Sequence, residues 1–207
     1  MINSDSKHFS QLSRRQFLQY SATSAALGVG LTGSSLSSAQ PSTEIQRFAP
    51  ELKVPYWIDG NGDKTEAFTL AQHENKWVFL KCFQNWCPGC HAHGFPALQK
   101  IVKAFGPNHE KIAFAAIQTT FEGHYTNNKA ALRPLQLRYG TAIPFGHDAG
   151  NPDLPNNNAA HYPKTMREFA TRGTPWIIII APNKQIVFSN FNINIDPVIQ
   201  YFKEEFA

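Results

Sequence analysis

The chain has 207 residues, of which 42% are hydrophobic, and its 19 basic and 15 acidic residues give a formal net charge of +4. This composition is typical of a globular protein, and the dispersed basic residues give no indication of nucleic-acid binding. Three cysteines are too few for a disulfide scaffold, and in an oxidising compartment they would indicate one working pair and one separate thiol.

Residues 1–39 are predicted to be an export signal and not part of the fold. Arg14 and Arg15 precede a weakly apolar run rich in alanine, glycine and serine, and the small residues that end at Ala39 suit a signal peptidase. This is the pattern of a twin-arginine signal, which directs folded proteins out of a bacterial cytoplasm. We therefore expect a mature periplasmic domain of residues 40–207, with a net charge of +2 and no stable membrane insertion once the signal is removed.

The first half of this domain is predicted to contain a hairpin and a strand–helix–strand unit. Residues 56–70 form the hairpin, with a polar turn at residues 59–63 that lacks the glutamate of a calcium loop. Residues 76–83 and 111–118 are apolar nearly throughout, which is typical of strands covered on both faces. Residues 96–105 space their apolar side chains at helical intervals. Because a helix joins the two strands, we expect them to be parallel neighbours or near neighbours.

The second half is predicted to contain a helix, a loop-rich stretch, a hairpin and a final helix. The first helix spans residues 127–140, and the loop-rich stretch of residues 140–172 holds only a short helix near residues 164–170. Residues 174–191 are two strands joined by a tight turn, and the last helix begins with Asp196 as its N-cap. The predicted order is strand, helix, strand, helix, strand, strand, helix.

The sequence NWCPGCHAHGF places Cys87 and Cys90 between the first buried strand and the first helix. Such a pair can be a redox dithiol, or with His91 it can attach c-type haem. The same cysteines with His91 or His93 can also bind copper or zinc. Export in the folded state and the single methionine of the mature chain, Met166, count against haem. The redox dithiol is the favoured interpretation, and a copper or zinc delivery protein is the alternative.

The strand-to-helix turn and a distant Thr-Pro pair together resemble the thioredoxin superfamily, and within it the TlpA-type exported thiol-disulfide oxidoreductases. The resemblance covers residues 49–207 apart from the loop-rich stretch of residues 140–172, and it implies an α/β thioredoxin fold with a central mixed sheet flanked by helices. Residues 56–70 would be an N-terminal β-hairpin extension, and residues 140–172 a loop-rich insertion before a cis-proline. The matching motif residues are Trp86, Cys87, Pro88, Gly89, Cys90, Thr174 and Pro175.

The resemblance also implies roles for these residues. Cys87 would be the exposed nucleophile at a helix N-terminus, where backbone N–H groups stabilise a thiolate. Cys90 would be the resolving thiol, and Pro175 would be cis, with its loop against the dithiol. The protein would then exchange disulfides with a protein disulfide or dithiol substrate, such as a membrane thiol reductase or oxidase, without a cofactor.

The strand before the motif contains one departure from the family and one further thiol. Lys81 stands where thioredoxins commonly have a buried acid. An ammonium held near Cys87 would favour its thiolate and make the protein more oxidising, whereas a lysine whose head reaches solvent would tune nothing. Cys82 is expected to be an inert thiol in the core.

Two further residues near the motif are candidates for a supporting role. His93 stands three residues after Cys90, where exported relatives often have a glutamate, and the chain has one extra residue near Gly94. That extra residue predicts a bulge in the helix. Glu122 follows the second buried strand, where it is either a proton relay or a solvated loop carboxylate.

Overall fold

A computed structural model describes residues 47–207. The predicted signal peptide of residues 1–39 and the start of the mature domain at residue 40 lie outside these residues and remain predictions. Within residues 47–207, none of the helices has the length and apolar character needed to cross a membrane.

The centre of the structure is a mixed sheet of seven strands in the order β2-β1-β5-β4-β3-β6-β7. As predicted, β3 and β4 are parallel neighbours, and β3 is antiparallel to β6 on its other side. Every residue of β3, β4 and β6 is buried, which explains their nearly continuous apolar sequences. The strands are β1 Tyr56–Ile58, β2 Lys64–Thr65, β3 Trp77–Phe83, β4 Ile112–Thr120, β5 Phe145–Ala149, β6 Trp176–Ile180 and β7 Ile186–Asn190.

Helices cover both faces of the sheet and enclose a core on each side. One core cluster contains residues of α1, α2 and α4, and also both motif cysteines. The other cluster lies between the opposite face of the sheet, α3 and the chain segment before β3. The helices are α1 Phe95–Phe105, α2 Leu132–Arg138, α3 Lys164–Phe169 and α4 Ile195–Phe206.

The predicted N-terminal hairpin extension is confirmed, and it is part of the main sheet. Strands β1 and β2 are antiparallel, and β1 also pairs with β5. The carboxylate of Asp59 accepts the backbone N–H groups of Asn61 and Asp63 at 2.8 and 3.0 Å. These hydrogen bonds close the polar turn.

Two predictions for the second half of the domain were wrong in detail. The stretch of residues 140–172 contains a strand, β5, as well as the short helix α3. The carboxylate of Asp148 in β5 accepts the N–H groups of Lys164 and Thr165 at the start of α3, so the buried acid fixes the helix to the sheet. The predicted N-cap of the last helix, Asp196, lies instead in the first turn of α4. The N-cap is Asn194, whose side-chain oxygen accepts the backbone N–H of Asp196.

Candidate active site

The motif cysteines lie where the chain passes from β3 into a helix. Cys87 is in the N-cap position of this helix, because its carbonyl accepts the N–H groups of Cys90 and His91 at 3.1 and 3.3 Å. The N–H of Cys90 also points at the Cys87 sulfur, 3.2 Å away. A thiolate at Cys87 would therefore receive a backbone donor and the positive end of the helix dipole.

The two thiols differ in accessibility, although less than the sequence suggested. Both are free cysteines. The expectation of an exposed Cys87 was wrong in degree, because only 5% of its surface is accessible, whereas Cys90 is completely buried. Trp86, Pro88 and His93 are exposed around the dithiol. The Cys87 sulfur is thus the one that an approaching partner reaches first.

The loop that covers Cys87 is the predicted Thr-Pro segment. The Thr174–Pro175 peptide bond is cis, as predicted. The Cys87 thiol donates to the Thr174 carbonyl at 3.4 Å, which accounts for the small exposed area of the sulfur. A Cβ atom added at Gly89 would lie 3.1 Å from Cδ of Pro175, so the glycine of the motif permits this close packing.

Lys81 is completely buried on the side of the sheet that carries the dithiol. Its ammonium donates to the Cys82 carbonyl at 2.8 Å and lies 5.7 Å from the centre of the Phe95 ring. Burial lowers the pKa of Lys81, and the neighbouring thiols oppose this shift, Cys90 most strongly. The alternative in which the lysine head reaches solvent is therefore wrong.

Burial raises the pKa values of both Cys90 and Cys82, but the two thiols lie on opposite faces of the sheet. Burial raises the pKa of Cys90 to about 11, although the Lys81 charge and a hydrogen bond with the Gln84 backbone act in the opposite direction. Burial raises the pKa of Cys82 to about 12. Cys82 belongs to the core cluster on the other face of the sheet, so it is separated from the dithiol by the sheet itself.

The predicted bulge after Cys90 is present as a π-helical segment, Cys90–Gly94, that runs into α1. A Cβ atom on Gly94 would collide with the end of the Lys81 side chain and lie 3.0 Å from Cβ of Pro175. Glycine at this position thus leaves room for the buried lysine. The bulge carries His93 to an exposed position beside a surface groove that also includes Phe191.

The histidine that follows the motif is hydrogen-bonded within the protein. Both ring nitrogens of His91 are engaged, Nδ1 with the Tyr139 hydroxyl and Nε2 with the Asn85 carbonyl, each at 2.6 Å. Among residues 47–207, no group of three or more His, Cys, Asp or Glu side chains is arranged to hold a metal ion. With both ring nitrogens engaged, His91 is not free to join Cys87 and Cys90 as a ligand. Glu122 is exposed on the loop after β4.

Sequence reasoning missed two buried amides beside the turn. Gln84 and Asn127 are at most 1% exposed, and the Nδ2 atom of Asn127 donates to Oε1 of Gln84 at 3.2 Å. The only available indication was that each follows one of two neighbouring parallel strands, so that both lie at the carboxyl edge of the sheet.

Solved structures with a similar architecture include several proteins of thiol-disulfide chemistry. A thioredoxin-like superfamily protein has a TM-score of 0.63 and 27% identity over 76% of this chain and 94% of that one. A thiol-disulfide isomerase from Corynebacterium glutamicum has a TM-score of 0.60 and 25% identity over 76% and 95% of the two chains. A thioredoxin-family thiol:disulfide interchange protein from Chlorobium tepidum shares the fold, with a TM-score of 0.53 and 15% identity over 78% and 97%. No protein-family model and no curated protein matched the sequence.

Proposed function

We propose that this chain, a member of the thioredoxin superfamily, is an exported thiol-disulfide oxidoreductase that exchanges disulfides with protein partners. The observation that carries the proposal is the placement of the Cys87 sulfur. It lies at a helix N-terminus, receives the Cys90 N–H at 3.2 Å and contacts the Thr174 carbonyl beside a cis-proline. A second thiol, Cys90, is held one helical turn behind it.

The exchange proceeds in two steps. The Cys87 thiolate attacks one sulfur of a partner disulfide, which forms a mixed disulfide and releases the other partner sulfur as a thiolate. Cys90 then loses its proton and attacks the Cys87 sulfur, which releases the second partner thiolate and leaves a Cys87–Cys90 disulfide. Two electrons pass from the dithiol to the partner, and both released thiolates take up protons. Run in reverse, the same steps oxidise a partner dithiol.

Lys81 is proposed to set the balance between the two directions. A positive charge buried beside the dithiol stabilises a thiolate, which exists only in the reduced protein. A stabilised reduced form makes the pair a stronger oxidant. The side chain would act through charge alone, because its hydrogen bond goes to the Cys82 carbonyl and not to a sulfur.

The proposed partner is a protein disulfide or dithiol, and the proposed location is the periplasm. Trp86 and Pro88 are exposed next to Cys87, and they offer an apolar contact area to a polypeptide. A membrane thiol reductase or oxidase of the TlpA-type systems would return the dithiol to its starting state. Export rests on the paired arginines Arg14 and Arg15.

Serine variants test the assignment of the two thiols. In a Cys82→Ser background, Cys90→Ser should still attack a partner and should accumulate a mixed disulfide through Cys87, visible on a non-reducing gel. Cys87→Ser should trap little, because Cys90 is completely buried. Equal trapping by both variants, or trapping by neither, would contradict the proposed nucleophile.

The export proposal has a separate test. Replacing Arg14 and Arg15 together by lysine should leave the protein in the cytoplasm with its signal uncleaved, because the twin-arginine pathway requires the pair. Cell fractionation and the N-terminal mass of the product measure this. Normal export of the lysine variant would show that another pathway is used.

A further inference from the structure

The side-chain amides of Gln84 and Asn127 have no part in the sulfur chemistry described above, because Cys90 interacts only with the backbone of Gln84. Oε1 of Gln84 accepts the indole N–H of Trp86 at 2.6 Å and the Nδ2 of Asn127 at 3.2 Å. Gln84 is completely buried, whereas Trp86 is 47% exposed. The N–H edge of the indole is therefore fixed to the protein interior, and about half of the side chain remains exposed beside Cys87.

Asn127 connects this arrangement to the loop that follows β4. Its Oδ1 accepts the backbone N–H of Asn85 at 2.6 Å, in the turn that leads to Cys87. Its Nδ2 also donates to the carbonyls of Glu122 and Gly123, both at 3.1 Å. A single buried side chain thus binds the turn and the loop together.

The loop also supports the indole directly. Gly123 has a φ of +61°, and a Cβ atom there would lie 2.9 Å from Nε1 of Trp86 and 3.2 Å from Nδ2 of Asn127. Only glycine permits this approach in this backbone conformation. Gln84 and Gly123 therefore both lie close to the Nε1 edge of Trp86, which restricts the orientation of the ring.

A fixed aromatic side chain at the edge of a reactive thiol is suited to recognition. Exposed tryptophans contribute strongly to protein interfaces, and a side chain that is already ordered loses little conformational entropy on binding. A mobile Trp86 would have to be ordered again by each partner. A small disulfide that reaches only the sulfur of Cys87 would gain nothing from the fixed indole.

We propose that Gln84 and Asn127 are positioning residues that hold Trp86 in the orientation in which a partner polypeptide contacts it beside Cys87. This inference rests on the proposed function, because it concerns the protein substrate of the same dithiol. It predicts that the amide pair affects the recognition of protein disulfides and leaves the redox chemistry of the dithiol unchanged.

The test compares a protein disulfide, insulin, with a small one, glutathione disulfide. Gln84→Met keeps the length of the side chain but removes the acceptor for the indole N–H. The KM for insulin should rise roughly five- to tenfold, as expected for the loss of one hydrogen bond that orders the indole. The rate with glutathione disulfide and the reduction potential should stay unchanged. Gln118→Met is the matched control, because Gln118 is also completely buried and bonds His147 instead.

A double-mutant cycle tests whether the effect passes through Trp86. Trp86→Phe removes the N–H donor and keeps an exposed ring, so Gln84→Met should add little to it. Gly123→Ala, whose added methyl group would displace the indole at Nε1, should raise the KM for insulin in the same way even if Gln84→Met folds poorly. Equal losses with both disulfides, or an unchanged KM for insulin, would overturn the inference. A wild-type protein that neither reduces these disulfides nor, in its disulfide form, oxidises the corresponding thiols would overturn the proposed function, and this inference with it.

Discussion

Replacing Lys81 by methionine should make the dithiol more reducing. Methionine has nearly the length of lysine and fills the same space against Phe95, so the variant removes the buried charge without leaving a large cavity. The wild-type ammonium favours the thiolate and so the reduced protein. Without it the reduced form is less stable relative to the disulfide, and the reduction potential becomes more negative.

The magnitude follows from the effect of the Lys81 charge on the Cys87 thiolate of the reduced protein. Lys81 is completely buried and Cys87 is only 5% exposed, so salt screens their interaction little. Each stabilisation of the thiolate by about 1.4 kcal/mol through this charge shifts the potential of the two-electron couple by about 30 mV. Because burial lowers the pKa of Lys81, the difference between wild type and variant should shrink at alkaline pH, where the lysine loses its charge.

Two measurements check this prediction. The potential is read from the fraction of disulfide in glutathione buffers, with Lys103→Met as a control that removes an equal charge from an exposed position on α1. Urea unfolding should show that Lys81→Met stabilises the oxidised protein more than the reduced one, because only the reduced protein has a thiolate to balance the charge. A potential equal to that of the wild type would refute the proposed role of Lys81.

Three further predictions concern buried groups. Cys82 should resist alkylation in the native reduced protein while Cys87 reacts, because burial raises the pKa of Cys82 to about 12, and equal mass-mapped labelling would contradict this. Burial lowers the pKa of His147 from 6.5 to about 4, so its contribution to stability is complete above pH 6.5 and is lost as the pH falls toward 4. In urea unfolding experiments, the His147→Gln variant should therefore lose less stability than the wild type as the pH falls from 6.5 to about 4. An identical loss of stability in the two proteins would refute this role of His147. Gly94→Ala should lower the melting temperature, because the added methyl group collides with Lys81, and an unchanged melting temperature would contradict that packing.

Sequence reasoning correctly predicted the elements that their own apolar residues identify, without reference to distant parts of the chain. Strands β3 and β4 are buried throughout and have nearly continuous apolar sequences. The bulge after Cys90 was predictable because one extra residue had to be accommodated before α1. Strand β5 was missed because its sequence includes His147 and Asp148, whose burial depends on partners elsewhere in the chain.

The parts of the site that sequence reasoning did not predict depend on contacts between distant segments. The sequence placed Lys81 in a strand but left open whether its head reaches solvent, and only the packing of Gly94 and Phe95 decides this. The covering of Cys87 comes from the Thr174 carbonyl, 87 residues further along the chain. The resemblance to the thioredoxin superfamily predicted the position of this loop, but no periodicity in the sequence predicts that its carbonyl covers the sulfur.

A redox titration tests the central claim most directly. The full mature protein is equilibrated in glutathione buffers of increasing oxidising strength, alkylated, and mapped by mass. Our account predicts a single two-electron transition from the free dithiol to an intramolecular Cys87–Cys90 disulfide, with Cys82 remaining a free thiol throughout. A protein that forms no Cys87–Cys90 disulfide at any buffer ratio, or that pairs Cys82 instead, would contradict it.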